Sequence, residues 1–249
     1  GSQSVGIQLD PGESVGAGAG WLVFTADMIG RGGVLGDGSQ QNKGGWGALA
    51  GAGERLLTGE SLFMTVFTHG GQGKARVAFA APYPGTIIPV HLPDLGGELI
   101  CQKDSFLAAA KGVSVGIALQ KRIMTGLFGG EGFLMQRLEG TGWVFVHAGG
   151  TLIERELAAG EDLHVDTGCV VAYTPSVDFE IERAGNIKSM IFGGEGVFFA
   201  HLKGPGKVWI QSMPFSRLAG RILANVPVAG SGQGEGSALG PLGSIMRCS

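Results

Sequence analysis

Three glutamates in glycine-flanked turns are the residues whose repetition could do chemistry: Glu60 in Thr58-Gly59-Glu60-Ser61, Glu131 in Gly129-Gly130-Glu131-Gly132 and Glu195 in Gly193-Gly194-Glu195-Gly196. Equivalent carboxylates about an approximate threefold axis would converge, and such a cluster would hold a hard cation or carry a raised pKa. The simpler role is that each carboxylate accepts backbone N–H groups of its own turn. Identical use in three copies is what a folding constraint produces, so the simpler role is favoured and no cofactor is expected.

The five histidines, His69, His91, His147, His164 and His201, include no H-x-H or H-x-x-x-H pair, so closely spaced metal ligands are missing. A ligand set assembled from separate strands stays open beside the structural role usual for single histidines. Ser14 and Ser114 each sit in a G-x-S-x-G match, but a nucleophile elbow needs a strand-to-helix turn in an α/β sheet, and neither match has that context. Lys74 and Lys207 follow glycine but precede Ala75 and Val208, so the phosphate loop is absent, as is G-x-G-x-x-G. These residues indicate a protein that is not an enzyme, with no catalytic constellation and no nucleotide cofactor.

The elements that carry the turns repeat as well. Aligning the turn glutamates superposes Leu62, Phe133 and Val197, then Phe63, Leu134 and Phe198, then Phe67, Leu138 and Leu202. Residues two and four apart share a strand face, which is apolar at both ends in every copy. A glycine pair follows each strand, in Gly71-Gln72-Gly73, Gly140-Thr141-Gly142 and Gly204-Pro205-Gly206, and then a second β run, so each copy contains a hairpin. Upstream, the copies open on Gly12-Glu13-Ser14, Gly97-Glu98-Leu99 and Gly160-Glu161-Asp162. An insertion in copy one falls within Gly30 to Gly53.

Length and composition set the frame. The 249 residues are 44% apolar and 16% charged with 48 glycines, a balance that gives an ordered, turn-rich, all-β chain. The formal charge of −3 offers no footprint for phosphate backbones, so nucleic acid is not expected as a partner. Cys101, Cys169 and Cys248 lie far apart, which fits a reducing compartment, and no membrane-length apolar run or export leader is present, so a cytoplasmic location is expected.

The expected organisation is a single β domain over residues 3–213, with repeats at about 7–85, 86–150 and 151–213 closing one shared interior about a pseudo-threefold axis. Phe215, Leu218, Ala219, Ile222, Leu223 and Val226 are spaced as an amphipathic helix over 214–227, expected to dock on the β body. Arg217 and Arg221 on its polar side leave membrane contact a disfavoured alternative. Residues 228–249 form a Gly/Ser-rich tail.

Leu127-Phe128-Gly129-Gly130-Glu131-Gly132-Phe133, Val165-Asp166-Thr167-Gly168, Phe192-Gly193-Gly194-Glu195-Gly196 and Gly204-Pro205-Gly206-Lys207-Val208-Trp209-Ile210-Gln211 resemble the altered-inheritance-of-mitochondria family and its uncharacterised bacterial relatives. Ala80-Ala81-Pro82-Tyr83-Pro84-Gly85 and Leu57-Thr58-Gly59-Glu60-Ser61-Leu62-Phe63 are similar to the first-repeat signatures of that family. The resemblance implies three repeats like the tryptophan RNA-binding attenuation protein, of double-stranded β-helix type, and supplies no catalytic residues.

The favoured function is a non-catalytic homo-oligomeric scaffold or interaction module. The alternatives are a small-ligand binder with a pocket between repeats, walled by Trp21, Trp143 and Trp209, and RNA binding by analogy of fold.

Overall fold

The computed structural model describes residues 1–18, 20–35, 63–121, 132–183 and 198–225. Glu60, Glu131 and Glu195, the loop within Gly30 to Gly53 beyond Leu35, and the glycine tail lie outside the described residues. The described chain is mostly β. Its first six strands are β1 (Ser4–Leu9), β2 (Ser14–Gly18), β3 (Leu22–Thr25), β4 (Ile29–Leu35), β5 (Phe63–His69) and β6 (Ala75–Ala80). The next six are β7 (Gly85–His91), β8 (Glu98–Gln102), β9 (Phe106–Ala110), β10 (Val113–Lys121), β11 (Phe133–Gly140) and β12 (Trp143–Gly149). The last six are β13 (Leu152–Leu157), β14 (Asp162–Asp166), β15 (Val170–Tyr173), β16 (Asp178–Arg183), β17 (Phe198–Lys203) and β18 (Gly206–Gln211), followed by the helix α1 (Phe215–Ala224).

Four antiparallel ladders recur in each set of six. The first strand pairs with the sixth, the second with the fifth, the third with the sixth and the fourth with the fifth: β1·β6, β2·β5, β3·β6 and β4·β5 in the first set. The second set repeats them as β7·β12, β8·β11, β9·β12 and β10·β11, and the third as β13·β18, β14·β17, β15·β18 and β16·β17. Each set thus makes two three-stranded half-sheets. Even the irregularity repeats, because Val23, Leu107 and Val171 are each the residue skipped by a bulge in the third strand.

Register corrects one detail of the sequence alignment. Val15 faces Phe67, Leu99 faces Leu138 and Leu163 faces Leu202, so these apolar pairs are the equivalent positions. Glu98 therefore matches Ser14 and Asp162 on the strand, one residue beyond the turn glutamates Glu13 and Glu161. A one-residue slip would turn every side chain of the strand to the opposite face, so the buried leucines fix the register against the glycine motif.

The sets join edge to edge. The second strand of set one pairs with the third strand of set two (β2·β9), and β8 pairs with β15 in the same way. These junctions fuse half-sheets into two six-stranded sheets, β4-β5-β2-β9-β12-β7 and β10-β11-β8-β15-β18-β13. Two three-stranded sheets remain, β1-β6-β3 at one end of the chain and β14-β17-β16 at the other.

The expected single shared interior is replaced by three packed clusters. One is built around Leu99, Leu138, Val144 and Trp209, a second around Phe133, Leu157, Leu202 and Val208, and a third around Val15, Phe67, Val77 and Phe79. The geometric reason is that the two half-sheets of each set lie in different sheets and cover each other, and each cluster also takes in side chains of a neighbouring set joined edge to edge, such as Trp209 in the first and Phe133 in the second.

Close approach demands glycine at several turn positions, Gly140 and Gly206 among them. Gly140 (φ 147°) places a notional Cβ 2.3 Å from the Gly112 carbonyl oxygen. Gly206 (φ 146°) places one 2.4 Å from Thr174 Oγ1. The helix starts after Pro214, as its periodicity predicts, but Phe215, Ile222 and Leu223 are exposed while Leu218 and Ala219 are half-buried, so the expected docking covers only part of its apolar stripe. Its N-terminal end is tied down by the Tyr83 and Phe215 rings, 5.6 Å apart, and by Arg217, which donates to the Ser212 carbonyl and to Asp166.

His147 is buried edge-to-face against Tyr83, 4.7 Å between ring centroids. Burial holds its imidazole below the ordinary 6.5, a shift partly offset by the Tyr83 backbone.

Two outcomes follow from this packing. Gly140→Ala forces a left-handed backbone strain of about 1–3 kcal/mol as well as the carbonyl clash, and a lower urea midpoint checks it. Below pH 6.5 the unfolded chain protonates His147 more readily than the folded chain does, so stability declines as pH falls through that value. Urea midpoints across that range are expected to slope less in His147→Gln.

Candidate functional site

The half-sheet β14-β17-β16 carries an outward face unlike the rest of the fold. His164 on β14 lies opposite His201 on β17, which in turn lies opposite Glu180 on β16. Residues two positions along each strand share that face, which adds Asp162, Asp166, Lys203, Asp178 and Glu182, with Phe199 as its one apolar member. Five carboxylates thus meet one lysine around two imidazoles, while Val165, Ala200 and Leu202 on the other face are buried. Alternation sorts most of each strand: apolar residues close the core and the titratable ones face outward.

Within this face the groups converge. The two imidazole rings stack parallel, 4.5 Å between centroids and 3° between planes. Glu182 reaches both, with Oε1 3.3 Å from His201 Nδ1 and Oε2 3.6 Å from His164 Nε2. The second nitrogen of His201, Nε2, lies 2.8 Å from Asp162 Oδ1. That hydrogen bond holds the Asp162 carboxyl below the usual carboxylate range, helped by nearby Lys203. His164, Glu182 and His201 each offer one ligand atom, and the three atoms lie within 4.8 Å of one another.

This constellation draws on the histidines singled out by sequence, but not in the form the spacing rules look for. His164 and His201 are distant in the chain and meet because Leu163 pairs with Leu202, which puts the next residue of one strand against the preceding residue of the other. That signal was present in the core positions. Glu182 was not singled out, since β16 has no counterpart among the aligned runs.

The other candidates fall elsewhere. His69 is buried, with Nε2 2.9 Å from the Gly73 carbonyl, and braces its own glycine turn. His91 pairs with Asp94 and packs on Trp143. Ser14 is 2.9 Å from Thr68 Oγ1, and Ser114 bonds the Glu139 carbonyl; both lie on strands, so neither forms a nucleophile elbow. Trp209 belongs to one core cluster and Trp21 packs on another, while Trp143 is exposed, so the three do not wall one pocket. Cys101 and Cys169 are free buried thiols pushed up by burial; Cys248 lies outside the described residues.

The simple carboxylate role is visible at the opening turns. Glu13 accepts from Asp10 N–H at 2.8 Å and Glu161 from Ala158 N–H at 2.9 Å. Glu98, shifted onto the strand, instead pairs with Arg137 at 2.6 Å.

A second feature lies on the other three-stranded sheet, β1-β6-β3. At the two junctions the residues equivalent to Val23 and Phe24 are Leu107 and Ala108, and Val171 and Ala172, all buried. On β3, Val23 is 55% and Phe24 is 53% exposed. The sequence keeps these positions apolar, yet no described strand covers that edge. The partner-type strand, β14, is likewise an edge.

Comparison with known proteins agrees with this architecture. Residues 1–213, which end just before α1, match the family model described as mitochondrial biogenesis AIM24. The chain belongs to the AIM24 family. An uncharacterized protein of Streptococcus pyogenes serotype M6 is 30% identical over 228 residues, covering 90% of this chain and 87% of the relative. The X-ray crystal structure of another Streptococcus pyogenes protein shares the fold, with a TM-score of 0.69 at 23% identity, covering 90% of this chain and 94% of the other. No described helix of this AIM24 protein is long and apolar enough to cross a membrane.

Removing the imidazole that bonds Asp162 is expected to return its carboxyl toward the ordinary 3.8. Side-chain carboxyl NMR titration of wild type and His201→Ala reads this directly; identical titrations would contradict the hydrogen bond.

Proposed function

We propose that this AIM24 protein is a non-catalytic scaffold that assembles by adding the β14 edge of one copy to the β3 edge of the next. The observation that carries the reading is the exposure of Val23 and Phe24 at positions whose equivalents in the other two sets are buried, Leu107 and Ala108 in the third cluster and Val171 and Ala172 in the first. The occupant is identified by continuity. At both internal junctions a second-type strand fills a third-type edge, and β14 is the second-type strand left over.

Transferring the internal register, in which Gly16 faces Ala109 and Ala17 faces Ala108, sets His164 opposite Thr25 and Val165 opposite Phe24 of the next copy. The two three-stranded sheets then become a third six-stranded sheet with the same strand-type order as the existing two. Unpaired strand edges leave rows of backbone N–H and C=O groups that favour such addition. A contact between different faces of identical copies closes into a ring when the rotation allows, and otherwise continues as a filament.

In this reading the three sets are repeats like those of the tryptophan RNA-binding attenuation protein, related by approximate rotation. The match of all four ladders and of the bulge supports it. The buried thiols of Cys101 and Cys169 suit a reducing cytoplasm.

Light scattering coupled to size exclusion tests the assembly. Wild type is expected at a multiple of 25.5 kDa at micromolar concentration. Val23→Lys combined with Phe24→Glu, both exposed and therefore tolerable within a single chain, is expected to give monomers. A monomeric wild type, or a double variant of unchanged size, overturns the proposal.

A further inference from the structure

The geometry points to a divalent transition-metal site on the outer face of β14-β17-β16, with His164, His201 and Glu182 as ligands and Asp162 as the group that orients His201. One chain supplies all four residues, so the site stands independently of assembly.

Donor chemistry selects the class of ion. Two imidazoles and one carboxylate suit a borderline cation such as Zn2+ or Co2+ better than Ca2+ or Mg2+, which take all-oxygen shells. At metal–ligand distances of about 2.0–2.1 Å, neighbouring tetrahedral ligands stand about 3.3–3.4 Å apart. Glu182 Oε1 is 3.3 Å from His201 Nδ1 and Oε2 is 3.6 Å from His164 Nε2, so the carboxylate already stands between the two imidazoles, one oxygen at close to ligand spacing from His201. The third edge, between the stacked rings, closes by rotation of the His164 ring, which is 54% exposed, out of its stack on His201.

Asp162 supplies an independent reason. By accepting from His201 Nε2–H at 2.8 Å, it fixes the tautomer whose Nδ1 lone pair faces Glu182. A carboxylate on the far nitrogen of a histidine is the usual support of a metal-bound imidazole. With Asp166, Asp178 and Glu180 on the same face, the field around the two rings favours a cation. Three protein ligands leave a fourth position for water. Because the ligands come from three strands of an incomplete half-sheet, the ion clamps β14, β17 and β16 together.

The test uses the full chain stripped with a chelator and then titrated with Co2+ and with Zn2+. One Co2+ per chain is expected, giving the visible absorption of a four- or five-coordinate nitrogen and oxygen site without a thiolate charge-transfer band. Zn2+ is expected to displace it and to raise the melting temperature. His164→Ala and Glu182→Gln should abolish the spectrum, and Asp162→Asn should weaken affinity by about 10- to 100-fold. All three positions are exposed, and circular dichroism verifies folding. No Co2+ uptake at micromolar concentration, a thiolate band, or binding unchanged in His164→Ala and Glu182→Gln overturns the site.

Discussion

Strand edges are the constraint on which this structure depends. A β-strand in the middle of a sheet satisfies its backbone on both sides, whereas an edge strand leaves a row of donors and acceptors to water or to another strand. Each set of six strands has one edge of each complementary kind, on its second and third strands. Three sets in one chain make two junctions, β2·β9 and β8·β15. One edge of each kind is necessarily left over, at β14 and β3, and the apolar residues built to sit under a junction are left in solvent with them.

The position of the third set at the end of the series explains why the histidine face belongs to it, since the corresponding face of the second set is covered by a core cluster. In the second set, the strand outward positions Ile100 and Gln102 are buried, and in the first set Ser14 is buried as well. Their counterparts in β14 are Asp162, His164 and Asp166, all exposed. A strand at the end of the series can carry titratable residues at no desolvation cost, so metal-ligand chemistry is affordable there and not in the interior sheets. The proposed assembly and the proposed ion site would share β14 without competing: one uses its backbone edge, the other its outward side chains.

Much of this architecture was legible in the chain, and the misses have physical causes. The hairpins were readable from Phe67, Leu138 and Leu202 because a buried face imposes a period of two on each copy. The glycine motif misled at Glu98, since a turn tolerates a residue more or less while the Leu99 and Leu138 pair does not. Periodicity located α1 but could not say what covers Ile222 and Leu223, because an apolar stripe encodes burial and not the partner. The core was expected as one interior and is three, since the pattern of apolar residues does not distinguish half-sheets that face their own partner from half-sheets that face a common axis. His164 and His201 escaped spacing rules because cross-strand register, rather than local sequence, brings them together.

The central claim is that β3 and β14 are paired with each other between copies. Hydrogen–deuterium exchange of the backbone amides of residues 22–25 and 162–166 at micromolar concentration tests it most directly. Protection at both edges matching that of the internal junction strands β2 and β9, and lost together on dilution, is the predicted result. Rapid exchange at both edges while β2 and β9 stay protected would contradict the account.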